Sequence, residues 1–81
     1  MDANTITEQL KKYIETNILA PDVKISADSI LQDAGIDSFS TIEIILFIER
    51  TYGVSFTDDK LIPENFKTLR SLASLVEGLM A

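Results

Sequence analysis

The chain has 81 residues, 46% hydrophobic, with no cysteine or histidine and a net charge of −6. That length makes one small domain near the lower limit for a single apolar core, so residues 1–81 are read as one unit. Disulfides and thiolate metal sites are excluded, and the usual general base and commonest metal ligand are missing, so neither intrinsic catalysis nor a resident metal is expected.

The negative charge is concentrated. Eight acids between Asp28 and Glu64 face only Arg50 and Lys60, which accounts for the whole excess. Such a centre repels nucleic acid and attracts basic protein surfaces. The N-terminus, Met1-Asp2-Ala3-Asn4, lacks a basic region leading into an apolar run. The longest apolar run, Ile44 to Ile48, is too short to cross a bilayer. A cytoplasmic monomer with no membrane contact is the expectation.

In chain order, Ile6, Leu10, Tyr13, Ile14 and Ile18 recur at helical spacing, so a first helix is predicted from about Thr5 to Leu19. Thr5 or Asn4 would cap it, with Glu8 completing a capping box behind Thr5. Pro21-Asp22 ends it, and a connection of 18 residues runs from Ala20 to Asp37. A loop of that length needs anchors or a role. Val23, Ile25, Ile30, Leu31 and Ile36 could pin it across the core, and Ser26 to Ser29 offers a turn.

The chain turns on Asp33-Ala34-Gly35-Ile36-Asp37-Ser38-Phe39. Gly35 permits a positive-φ turn, and Asp37 stands where an N-cap belongs. Ser38 then falls in the first turn of a second helix predicted over Ser38–Tyr52, beside the positive end of its dipole. A serine so placed either serves as a helix-start residue or carries a phosphate-linked group whose charge the helix end tolerates. Ile44 through Ile48 cover every side of this helix, so some must face outward as a contact surface unless the helix is buried all round.

Gly53 suits a helix stop, Val54-Ser55-Phe56 is extended but too short for a sheet, and Thr57 to Lys60 is a turn or helix start. Asp58-Asp59 lacks the ligand spacing and central glycine of a calcium loop. Leu61 to Phe66 suggests a short third helix with Pro63 near its start. Thr68 would cap the last helix, whose core face is Leu69, Leu72, Ala73, Leu75, Val76 and Leu79. As a nucleophile Ser38 would lack a base, and Glu43 with Glu49 has no room for a sugar cleft in a chain this small.

Asp37-Ser38-Phe39, approached through Leu31, Asp33 and Gly35, resembles the Asp-Ser-Leu modification site of acyl and peptidyl carrier proteins. Pro63 to Leu69 also looks like that family's segment between helices three and four, and the resemblance covers most of the chain. It implies an all-α four-helix bundle, three main helices plus a short third one, with a long first loop. It implies a stand-alone acyl or aminoacyl carrier, a phosphoprotein rather than an enzyme. In that family the serine, here Ser38, receives covalent 4′-phosphopantetheine from coenzyme A and holds intermediates as thioesters.

The partners implied are a phosphopantetheinyl transferase, an acyl- or aminoacyl-loading ligase, and downstream synthase enzymes of fatty acid, polyketide or nonribosomal peptide biosynthesis. By the same resemblance Asp37, Phe39, Glu43, Leu46 and Glu49 would meet them, while Ile44, Ile48 and Tyr52 line the core or an acyl cavity. Phe39 in place of the usual leucine, and Arg50 at a place often acidic in fatty-acid carriers, are departures. Asp-Ser-Phe is similar to some stand-alone amino acid carriers, including D-alanyl carriers, and to some carriers of secondary metabolism. The competing expectation is an unmodified acidic helical adaptor, in which Ser38 is only a helix-start residue.

Overall fold

Ile6, Leu10 and Ile14, four residues apart, are fully buried on one face of the first helix, α1 (Ala3–Asn17). The computed structural model describes residues 2–80 and has two further α-helices, α2 (Ser38–Tyr52) and α3 (Leu69–Met80). Short 3₁₀ turns stand at Asp58–Lys60 and Pro63–Phe66 between them. No β-strand occurs among the described residues; one isolated antiparallel bridge joins Ile30 to Thr68.

The core closes where the three apolar faces meet: Ile6, Leu10 and Ile14 from α1, Ile44 and Ile48 from α2, and Leu69, Leu72, Ala73 and Val76 from α3. Leu75 and Leu79, expected on the core face of α3, are only half-buried at its edge. α1 packs chiefly along α3. Its link to α2 is aromatic: the Tyr13 and Phe47 rings stack with centroids 3.9 Å apart, and the Tyr52 hydroxyl donates to Gln9 Oε1 at 2.6 Å.

The start of α1 differs from the expected one. Asp2, rather than Thr5 or Asn4, is the cap, and its carboxylate accepts from the Thr5 N–H at 2.8 Å. A carboxylate at this position satisfies one free N–H and opposes the helix dipole, which a threonine within the first turn cannot do. At the other end, the Ile18 and Leu19 N–H groups both donate to the Ile14 carbonyl, so the helix closes at Asn17.

The 18-residue connection is pinned by burial of Ile25, Leu31 and Ile36. Polar contacts tie it down as well. The Ile25 N–H donates to Glu15 Oε2 at 2.8 Å, Leu31 N–H to the Lys67 carbonyl at 2.9 Å, and Arg70 N–H to the Ala27 carbonyl at 2.8 Å. Arg70 also donates twice to the Asp28 carboxylate, at 2.8 and 3.1 Å. Both side chains are exposed, so the pair sets position more than it adds stability.

The expected short third helix is a 3₁₀ turn. Pro63 supplies no N–H, the Asn65 N–H donates back three residues to Ile62, and Thr68 opens α3 two residues after the turn ends. Thr68 caps as expected: Ser71 N–H donates to Thr68 Oγ1 at 3.0 Å while Thr68 N–H donates to Ser71 Oγ at 3.1 Å.

Two isoleucines on α2 test this division of faces. Ile48 is fully buried, and Ile48→Ala is expected to lower unfolding free energy by about 2–5 kcal/mol in a denaturant titration. Ile42 faces solvent, and Ile42→Ala should change it by less than about 0.5 kcal/mol.

Candidate functional site

The chain reaches α2 through a tight turn over residues 31–36. Gly35 N–H donates to the Gln32 carbonyl and Ile36 N–H to the Leu31 carbonyl, both at 3.1 Å. Gly35 sits at φ +108°, a conformation that side chains disfavour, which is why the reversal needs glycine. Leu31 and Ile36, the ends of the turn, are both buried and hold it against the core.

Asp37 follows in extended conformation and caps α2. Its Oδ1 accepts from the Ser40 N–H at 2.8 Å, while its carbonyl accepts from the Thr41 N–H and hydroxyl, both at 2.9 Å. The hydrogen bond from Ser40 N–H holds the Asp37 carboxyl below the usual aspartate range. Ser38 is thereby fixed in the first turn with its side chain exposed, as the sequence suggests.

Beside Ser38 lies an open hollow of about 540 Å³, lined by Leu31, Gln32, Ile36, Asp37, Thr41 and Phe66 among others. Phe66 reaches it from the second 3₁₀ turn, so the site is built from the loop, α2 and the segment before α3. Nothing lies within 4 Å of where a Cβ on Gly35 would stand, which leaves that side of the hollow clear. An exposed hydroxyl, a helix N-terminus and a half-apolar hollow fit a phosphate-linked chain with amide and methyl groups. No cluster of three or more metal-ligating side chains occurs among the described residues.

Of the expected contact residues, Asp37 and Phe39 flank Ser38, and Leu46 lies two turns further along α2. Phe39 is 70% exposed and Leu46 51% exposed. Ile42, at 57%, belongs with them and was not singled out from the sequence. The signal was present, since residues 39, 42 and 46 follow the i, i+3, i+7 spacing of one helix face. Glu43 and Arg50 share that face by the same spacing.

Glu49 has a further duty: half-buried, its Oε2 accepts from the Phe56 N–H at 3.0 Å, tying down the chain after α2. Ile44 and Ile48 are core, while Tyr52 is half-buried, and desolvation pushes its hydroxyl above the usual tyrosine range. Gly53 stops α2 in the left-handed region at φ +67°, as expected.

With this geometry in place, comparison with known proteins is informative. The family model described as "Phosphopantetheine attachment site" matches residues 8–76. Aminoacyl carrier protein 1 of Bradyrhizobium diazoefficiens is 30% identical over 73 residues, which is 90% of this chain and 79% of the relative. Acyl carrier protein 1, chloroplastic, of Spinacia oleracea is 32% identical over 62 residues. That match covers 76% of this chain and 44% of the spinach protein, so the chain spans about half the length of that relative. Among solved structures, the chain superimposes with a TM-score of 0.70 on a chain from the crystal structure of Bradyrhizobium japonicum glycine:[carrier protein] ligase complexed with glycylated carrier protein. There identity is 27%, covering 90% of this chain and 96% of the other.

The cap makes a pH prediction. Because the folded-state pKa of Asp37 is depressed, its contribution is fully present above the ordinary aspartate range and is lost as pH falls through the lower folded value. The Ser40 amide resonance should therefore titrate with a midpoint below the ordinary aspartate value. In Asp37→Asn, which keeps an accepting oxygen but no charge, that titration should vanish.

Proposed function

This chain belongs to the phosphopantetheine-attachment family of carrier proteins, and on that premise we propose that it is a stand-alone carrier modified at Ser38. Family members carry covalent 4′-phosphopantetheine and are carriers, not catalysts. The observation that carries the assignment to Ser38 is its placement: an exposed hydroxyl in the first turn of a capped helix, opening on a hollow large enough for a flexible chain.

When bound, the group supplies a thiol on which acyl or aminoacyl cargo travels as a thioester. The protein's own residues do the rest. Asp37 fixes the helix start, so the Ser38 Oγ is held outward where a phosphopantetheinyl transferase can reach it. The free N–H groups and dipole of that helix end favour the negative charge of a phosphodiester on Ser38.

Asp37, Phe39, Glu43, Leu46 and Glu49, joined by Ile42, form the surface on which partner enzymes read the carrier. Apolar side chains this exposed on one face lose water when an apolar partner surface covers them, and that supplies affinity. The surrounding acids act on encounter rate and partner choice, with Glu49 contributing less because its carboxylate is already engaged by Phe56. Partners include the transferase, a loading ligase and downstream synthase enzymes.

Residues 1–81 act as one carrier domain, working as a monomer in the cytoplasm. No helix among the described residues is long and apolar enough to cross a membrane. For cargo, an aminoacyl group is favoured over a fatty acyl chain. The structural neighbour is a glycylated carrier beside its ligase, and Arg50 with Phe39 makes the α2 face less acidic and more apolar at its tip.

Incubation with coenzyme A, magnesium and a broad-specificity phosphopantetheinyl transferase should add one phosphopantetheine by intact mass. Ser38→Ala should show no gain while its unfolding free energy stays within about 1 kcal/mol of wild type. A gain in Ser38→Ala, or none in wild type with several transferases, would overturn the assignment. Phe39→Asp should leave the fold intact and raise the transferase KM more than it lowers kcat.

A further inference from the structure

The outward face of α2 changes sign along its length. Asp37 and Glu43 are the acids toward its start, and the exposed Arg50, the one base in the helix, stands in its last turn. Arg50 follows Leu46 by four residues and Phe39 by eleven. It therefore continues the ridge of Phe39, Ile42 and Leu46 and points away from the buried Ile44 and Ile48.

Nothing on its own helix neutralises it. The positions three and four residues to either side, Leu46, Phe47, Gly53 and Val54, are uncharged. Glu49, adjacent in sequence, lies further round the helix and accepts from the Phe56 N–H. The ion pairs among the described residues are Lys60–Asp59 and Asp28–Arg70. A cation in the last turn suits the helix dipole from any side of the helix, so the dipole does not explain its place on the apolar ridge.

Resting on the carrier reading above, we propose that Arg50 determines which enzymes this face accepts: those that bring a carboxylate opposite it. A partner that covers Leu46 also takes water from the guanidinium one turn further on. A carboxylate offsets that loss, because the planar guanidinium can grip it through two parallel hydrogen bonds. A basic group at the same place is repelled.

Arg50 stands twelve residues beyond Ser38, about 18 Å along the helix axis. The matching surface is therefore basic where it meets Asp37 and Glu43, near the mouth of the enzyme's active site, and acidic about 18 Å from that mouth. The reversal also gives the docked helix one direction, since a turned-around α2 would set like charges together at both ends.

The test uses a malonyl transferase of fatty acid synthesis whose docking surface is basic throughout, which moves malonyl from coenzyme A to the thiol of the arm. Its substrates are the phosphopantetheinylated full chain as wild type, Arg50→Gln and Arg50→Glu, each verified by intact mass. The kcat/KM should rise stepwise, by about fivefold or more in Arg50→Glu, through KM with kcat unchanged, and the gain should fade at high salt. Replacing with Glu the transferase's basic residue about 18 Å from its active-site mouth should raise kcat/KM on wild type and lower it on Arg50→Glu. Equal kcat/KM for all three forms, even with a lower unfolding midpoint in Arg50→Glu, would overturn the role and leave Ser38 as the site. So would a fall in kcat/KM on going to Glu. Failure of wild type to gain phosphopantetheine would overturn the Ser38 reading and the role of Arg50 with it.

Discussion

Leu31 and Ile36 are buried at the two ends of the turn that passes through Gly35, and that pair of anchors fixes where α2 begins. Asp37 is the next residue, so its capping geometry is inherited from the anchors, and Ser38 is presented outward as a consequence. Burial of two aliphatic side chains, each worth about 1.5–3 kcal/mol, thus positions a hydroxyl that contributes almost nothing to stability.

The same constraint explains why so long a loop is tolerated. Closing a longer loop costs little extra entropy, but leaving it loose would blur the position of Ser38. The chain resolves this by stitching the loop to the start of α3 through the Leu31 and Arg70 amides and the Asp28–Arg70 pair. The segment just before α3 then becomes a wall of the site, with Phe66 beside residues 31–41. Loop and last helix, remote in sequence, act as one support for the beginning of the second helix.

α2 carries two jobs on opposite faces. Ile44 and Ile48 close the core, while Phe39, Ile42 and Leu46 stay in water. In a monomer whose only task was to fold, three large exposed apolar side chains in a row would be a liability. In the function proposed above they are the surface that partner enzymes recognise, with the acids around them limiting non-specific association. The fold thus keeps its stability in α1, α3 and the inner face of α2, and leaves the outer face free for contacts.

Much of this was legible in the residues. The bounds of α2, its cap at Asp37, its stop at Gly53, the cap at Thr68 and the exposed serine all follow from local chemistry, because a cap or a glycine stop is decided by its immediate neighbours. Other features are just as close along the chain but were not read from it. The start of α1 at Asp2, the 3₁₀ form of the short third helix and the engagement of Glu49 by Phe56 each reflect a competition between nearby partners that the pattern of residues does not rank. Which sides of the all-round apolar α2 face water was open for the same reason, since periodicity cannot choose among faces that are all apolar. The sequence by itself determined an all-helical chain with a capped, glycine-approached serine, through backbone propensity and helix-end hydrogen bonding. The tertiary structure alone decided which apolar groups stay outside and that Phe66 borders the hollow beside Ser38, because packing of the loop and the segment before α3 sets those distances.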